Sequence, residues 1–349
     1  MKILVIQQQM IGDVLISTIL CNNLRTIYPH AQIDYMIFEH TLPVVLHNPN
    51  IDNFILYNKG IPLKSIIKKI RSTKYHLILD AYAKIGTSLM CLFSGAGKTI
   101  GFRKWYTSFC YSKTLKRNTK ATTKAGLAIE VRIALLQLVE PISNPDLIPH
   151  IFLTEEEKEL AKTTLQTHNL LEHKLIMISL LGSNTLKSYP AKYMAQVLDF
   201  VAANCNGKLL VNYVPSQKQA ADEIFSLCNP DTLQKIVRDV QPADLRSFLA
   251  ILYYCKALIG NEGGAVNMAK AMDIPTFSIF SPSVEQENWD IFADGKKHVS
   301  THLKHYNEAP FINVDRKKNR KQTPALYNTF TPDLFINKLR YFIKENKLE

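Results

Sequence analysis

The stretch ALIGNEGGAVNMAKAMDIPTFSIF, residues 257–280, decides the fold. Ala257–Gly260 is a short apolar run, Asn261-Glu262-Gly263-Gly264 a turn, Ala265–Met272 a helix and Thr276–Phe280 a second apolar run. Short apolar runs separated by helical segments and punctuated by Gly read as buried strands of a parallel sheet. Working outward, Lys174–Leu181 and Lys208–Val214 read as strands, and Ala191–Asn204, Gln217–Cys228 and Ala243–Tyr254 as helices. The N-terminal half follows the same plan. Met1–Ile6 is a strand, then come a polar loop, Gly12-Asp13, and a helix from Val14 to Tyr28. Gln32–Phe38, Asn53–Tyr57 and His76–Asp80 read as strands, Leu63–Thr73 as a helix with a basic face, and Gly126–Glu140 as a strongly apolar helix ended by Pro141. Alternation of this kind makes βαβ units and an α/β class. The three prolines of Pro141–Thr154 mark a linker. The expected organisation is therefore one Rossmann-like domain over residues 1–150 and a second over 151–330. A helix over 331–349 follows, spaced by Leu334, Phe335, Leu339, Phe342 and Ile343.

Parallel sheets of this class bind ligands beyond the carboxyl ends of their strands, so the loops after Ile6, Leu181, Val214 and Ile259 are where chemistry is expected. Asp13 stands where the first loop meets its helix. There a carboxylate caps free backbone N–H groups, or serves as a general base with Gly12 leaving room beside it for a hydroxyl. Gly260-Asn261-Glu262-Gly263-Gly264 opens a helix whose N-terminal amides favour an anion, a geometry suited to a diphosphate and equally to a tight turn. Lys187 follows the first strand of the second half, where a compact ammonium can neutralise phosphate oxygens. Leu92 stands where a P-loop ending in Gly97-Lys98-Thr99 needs glycine, and no GxGxxG follows a strand. Kinase-like and dehydrogenase-like readings lose support accordingly.

In the 349-residue chain, 46% of residues are hydrophobic and 21% charged, an ordinary globular composition that argues against disorder. Lys+Arg number 42 against 30 Asp+Glu, a formal net charge of +12, which favours an acidic partner: nucleic acid, an anionic membrane surface or a phosphorylated substrate. The charge is uneven. Between Lys98 and Lys124 stand eight basic residues and no acidic one, interleaved with Phe102, Trp105, Tyr106, Phe109 and Tyr111. A second basic run, Arg316–Lys321, reads as a solvated loop. The six cysteines are scattered without metal-ligand spacing, which fits a reducing, cytoplasmic setting and gives no metal site. No signal-peptide core is present at the N-terminus. No apolar run approaches the roughly 18 residues of a spanning helix, so any membrane association is expected to be peripheral.

Lys2-Ile3-Leu4-Val5-Ile6 followed by Ile11-Gly12-Asp13-Val14-Leu15 resembles the opening of glycosyltransferase family 9, the lipopolysaccharide heptosyltransferases. Leu79-Asp80, Gly101-Phe102, Lys187-Ser188-Tyr189-Pro190, and Gly260–Gly264 through Ala269, Ala271 and Pro275 follow in that family's order. The resemblance implies a GT-B fold: two Rossmann-like domains facing a central cleft, and a C-terminal helix returning to the N-terminal domain. It implies an inverting, metal-independent transfer of heptose from ADP-heptose to a lipopolysaccharide core, with no cofactor, by a monomer on the inner membrane face. In that reading Asp13 and Lys187 are catalytic. The donor is held by Lys187, Ser183, Glu262, Gly263, Gly264, Ala265 and Asn267, and the acceptor by Gly12, Asp80, Lys84, Arg103 and Lys104. The family usually reads Asp-Thr/Ser-Gly-x-x-His in the second-domain turn, where this chain has Glu262-Gly263-Gly264-Ala265-Val266-Asn267. A transferase with another nucleotide sugar, a nucleotide-sugar epimerase and, from a different class, a basic nucleic-acid-binding protein are the alternatives. The resemblance gives no expectation of nucleic acid.

Overall fold

The computed structural model describes residues 1–58 and 60–349, and their contacts divide them into Met1–Phe152 and Leu153–Glu349. The division falls inside the proline-rich stretch Pro141–Thr154. In the first unit, strands β1 (Lys2–Ile6), β2 (Gln32–Phe38), β3 (Asn53–Tyr57), β4 (Leu77–Asp80), β5 (Lys98–Phe102) and β6 (Lys113–Leu115) form one sheet in the order β3-β2-β1-β4-β5-β6. Every neighbouring pair is parallel. Ile3, Leu4, Val5 and Ile6 are all fully buried, as expected of a strand covered by helices on both faces. The helix after β1 runs Ile11–Ile27, three residues earlier than Val14, so Asp13 lies within its first turn.

The eight-cation segment is a strand, a turn and a strand. Its composition hides β5 and β6, in which only Thr99, Ile100, Gly101 and Phe102 are buried. Gly101 is required there because a Cβ would sit 2.5 Å from the Tyr111 ring.

The second unit holds β7 (Lys174–Ser179), β8 (Gly207–Asn212), β9 (Ile236–Val237), β10 (Ala257–Asn261), β11 (Thr276–Ile279) and β12 (His298–Thr301). Its order, β12-β11-β10-β7-β8-β9, repeats the order of the first sheet. All neighbours are again parallel. Each sheet therefore reverses its winding once, between β1 and β4 and between β7 and β10, and crevices for ligands open beyond the carboxyl ends at such points.

One expectation is corrected. Arg316–Lys321 is not a loop: Asp315 accepts from the Lys318 amide at 2.8 Å and caps a helix, Arg316–Thr329. Residues 331–349 group by their contacts with the second unit. The apolar face of the helix Ile336–Glu345 explains this, because Leu339, Phe342 and Ile343 are buried in that unit's core with Phe277 and Val299.

Candidate functional site

In the first unit the groups of interest gather at the carboxyl ends of β1, β4 and β5. Asp13 occupies the third position of its helix, where its Oδ2 lies 3.5 Å from the Met10 amide in a capping position. Its Oδ1 accepts from the Arg132 guanidinium at 2.8 Å. Arg132 is buried and rises from the apolar helix Leu127–Gln137. Its other donors are taken by Ser17 Oγ at 2.6 Å and the Ala128 carbonyl at 2.8 Å. Three anchors fix the guanidinium, and the guanidinium fixes one oxygen of Asp13, whose side chain remains 21% exposed. Beside it, Gln9 Nε2 donates to Tyr82 Oη at 2.6 Å, tying the loop after β1 to the loop after β4.

Asp80 is corrected from its expected role. It is 0% exposed, and it accepts from the Ala83 amide at 2.7 Å, the Tyr82 amide at 3.1 Å and Tyr111 Oη at 2.8 Å. Burial raises its pKa, and these donors oppose the rise. Asp80 holds the turn that presents Lys84 and has no surface for an acceptor.

Around this turn the cations converge. Lys104 donates to the Ala83 carbonyl. Burial lowers its pKa, and the neighbouring Lys84 and Arg117 cations lower it further. The Arg117 guanidinium lies 4.0 Å from the centroid of the Phe102 ring. Packing around it and the nearby Arg132 push its pKa down, while Asp13 and Asp80 pull it up. Arg103 is exposed and reaches only Thr114 Oγ1, at 3.4 Å. Lys84, Lys104, Arg117 and Arg132 thus surround the Asp13 end of the sheet, a setting for an anionic group next to a carboxylate. Arg117 and Arg132 were not among the expected site residues. Arg132 had a signal, the one cation of a mostly apolar helix.

In the second unit the site spans the ends of β7, β8 and β10. Lys187 ends a short 3-10 turn, Thr185–Lys187, after β7. Its Nζ lies 3.1 Å from Glu262 Oε1, an oxygen that is buried and has no partner in hydrogen-bond geometry. Glu262 leads into Gly263 and the helix Gly264–Ala271, whose first turn carries the partly exposed Gly264, Ala265 and Asn267. Gly263 has φ +152°, which favours glycine, although a Cβ there would meet nothing within 4 Å. The hydroxyl residue common at this place in the family is therefore opposed by the backbone and not by lack of space.

The Lys187 turn is held from several sides. Asn261 Nδ2 donates to the Leu180 carbonyl at 2.8 Å, and its Oδ1 accepts from the Tyr189 amide at 2.7 Å. Gln217, following β8, donates to the Gly182 carbonyl at 2.8 Å. Gly182 lets the turn close, since a Cβ would lie 2.3 Å from the Lys187 carbonyl. Ser183 is exposed on the same loop. Among the described residues no group of three or more His, Cys, Asp or Glu is placed to hold a metal ion.

Comparison with known proteins identifies the family and the fold. The family model for glycosyltransferase family 9 (heptosyltransferase) matches residues 63–317. Lipopolysaccharide heptosyltransferase 2 of Salmonella typhimurium is 21% identical over 293 residues, 81% of this chain and 83% of that one. A shorter match, 31% identical over 77 residues, to lipopolysaccharide heptosyltransferase 3 of Escherichia coli K12 spans 20% of this chain and 22% of that relative. Two solved structures share the fold. A family 9 glycosyltransferase from Veillonella parvula has a TM-score of 0.77 at 18% identity, covering 99% of this chain and 97% of its own. The E. coli ADP-heptose LPS heptosyltransferase II has a TM-score of 0.70 at 19% identity, covering 94% and 99%.

Proposed function

The chain belongs to glycosyltransferase family 9, the heptosyltransferases, and from that premise we propose that it moves heptose from ADP-heptose onto a lipopolysaccharide-type acceptor by direct displacement. The observation that carries the reading is the pairing of Asp13 with Arg132 at the switch point of one sheet, and of Lys187 with Glu262, just before a helix N-terminus, at the switch point of the other.

Direct displacement asks for two things, a base for the acceptor hydroxyl and stabilisation of the departing diphosphate. Asp13 is suited to the first. Its Oδ1 is held by Arg132, and Oδ2 has only the long contact to the Met10 amide. As the acceptor oxygen bonds to the anomeric carbon, its proton passes to Asp13 and the bond from that carbon to the diphosphate oxygen breaks, inverting the centre. Lys187 and the amides of Gly264 and Ala265 are suited to the second, where negative charge grows in the transition state. Lys84, Lys104 and Arg117 supply positive charge for phosphate groups on the acceptor.

The test has two steps. Melting temperature is measured with ADP, UDP, GDP and CMP, since a ligand bound only by the folded state raises it. ADP is expected to give the largest rise. Asp13→Asn is then assayed for transfer with ADP-heptose and a heptose-accepting core oligosaccharide. The variant is expected to keep donor affinity and lose transfer. Near-normal turnover by Asp13→Asn would overturn the assignment of the base, and a rise with UDP alone would overturn that of the donor.

A further inference from the structure

We propose that the carboxyl ends of β4 and β5 form a docking surface for an anionic lipid bilayer, with Ile85, Trp105 and Phe109 as the inserting side chains. Ile85 is 61% exposed, Trp105 93% and Phe109 72%. Large apolar side chains normally lose most of their surface on folding, and several standing free together mark an interaction site. The contacts bring these three together. Lys104 donates to the Ala83 carbonyl, which sets Trp105, the next residue, beside the turn that begins the helix at Ile85. Ser108 Oγ donates to the Lys104 carbonyl at 2.6 Å, folding Phe109 back against the same turn. Lys84 precedes Ile85, and Arg103 and Lys104 precede Trp105.

Charge selects the occupant. From Lys98 to Lys124 there is no acidic residue, so two copies of this surface repel each other, while anionic headgroups attract it. Side-chain type selects further. Ile85 has no face on which a base can stack, whereas an aliphatic group, an indole and a phenyl ring between lysines suit the boundary between headgroups and acyl chains. This surface lies at the same sheet edge as Asp13, because β1, β4 and β5 are parallel and side by side. The proposal rests on the transferase reading only for its purpose, to hold Asp13 near a lipid-anchored acceptor.

The experiment is co-sedimentation with vesicles of pure phosphatidylcholine and of phosphatidylcholine with phosphatidylglycerol, paired with emission of Trp105 in a Trp289→Phe protein, which leaves one tryptophan. Binding to the anionic vesicles is expected at least tenfold tighter than to the neutral ones, since each basic residue near such a surface is worth about fivefold, with a blue shift of Trp105 emission. Trp105→Gln with Phe109→Gln is expected to weaken that binding at least tenfold and to leave transfer to a soluble, lipid-free acceptor unchanged. Both side chains are so exposed that the fold does not depend on them. Equal binding to the two vesicle types, full binding by the double variant, or a Trp105 shift with a single-stranded oligonucleotide and none with vesicles would each overturn the proposal. Docking without transfer to any acceptor would overturn the transferase reading and leave the surface standing.

Discussion

Replacing Arg132 with Met tests whether the fold aims Asp13. The substitution keeps the length and apolar stem of the side chain and removes its donors: the 2.8 Å bond to Asp13, the 2.6 Å bond to Ser17 and the 2.8 Å bond to the Ala128 carbonyl. Breaking a fully buried ion pair costs about 3–5 kcal/mol. Here the Asp13 side chain is 21% exposed, so water takes up part of the loss. A destabilisation of about 2–3 kcal/mol follows, or a fall in melting temperature of roughly 4–12 °C for a unit of this size. The catalytic effect is separate and larger. A carboxylate freed to rotate misplaces its oxygens by about 1 Å, which costs on the order of 100-fold in turnover. We expect kcat to drop by about that factor at a temperature well below the variant's melting point, with the KM for the nucleotide sugar unchanged, because Arg132 acts on the acceptor side. Arg132→Lys, which keeps the charge without the fork, is expected to fall between the two. Turnover of Arg132→Met within about threefold of the wild type, in protein shown to be folded, would refute the reasoning.

Two further predictions concern the second unit. Glu262→Gln removes the negative charge 3.1 Å from the Lys187 ammonium, so a diphosphate no longer competes with a carboxylate. ADP binding by calorimetry should tighten about tenfold, on a Coulomb estimate of about 1.3 kcal/mol at a water-like dielectric. Weaker binding would instead assign Glu262 to a hydroxyl of the nucleoside. His298 and His302 are buried and neutral, their pKa values pushed by burial from 6.5 to about 4. Between those values the unfolded chain binds protons that the folded chain refuses, so stability is full above pH 6.5 and declines toward pH 4, by up to about 3 kcal/mol per histidine. Urea unfolding followed by Trp289 emission in a Trp105→Phe protein should show this slope, and His298→Asn should remove about half of it. A flat profile would mean that these rings are hydrated in the fold.

Apolar runs made most of the fold legible. The strands from Lys2, Gln32, Asn53 and Thr276 announce themselves by composition, and their helices by what lies between. What stayed hidden was hidden by charge or polarity. β5 and β6 sit among lysines, and β12 is His-Val-Ser-Thr, four buried residues of which three are polar. His298 is accommodated there by Thr276 Oγ1 at 3.1 Å, a partner supplied by the neighbouring strand and so invisible along the chain. The candidate site divides in the same way. The placement of Asp13 and Lys187 after the first strand of each half could be read from order alone. Asp80 carried the same signal, a carboxylate ending a strand, yet the turn after it takes one of its oxygens and the Tyr111 hydroxyl the other. Arg132 could be suspected as the one cation in a mostly apolar helix, but only the packing of that helix on the one that carries Asp13 discloses what it pairs with.

The Lys187 turn has a consequence for the order in which the molecule becomes competent. The Leu186 carbonyl accepts from Ser281 at 2.6 Å and from Tyr327 at 3.2 Å, and Tyr189 donates from its ring hydroxyl to the Phe330 carbonyl. A turn near the beginning of the second unit is thereby fastened by residues close to its end. During synthesis Tyr327 and Phe330 emerge last, so a nascent chain that already contains β7 to β11 holds the turn through Asn261 and Gln217 but without these two fasteners. The turn is thus fully fastened only once the tail has docked, and afterwards its amides exchange with solvent at the pace at which the tail itself opens.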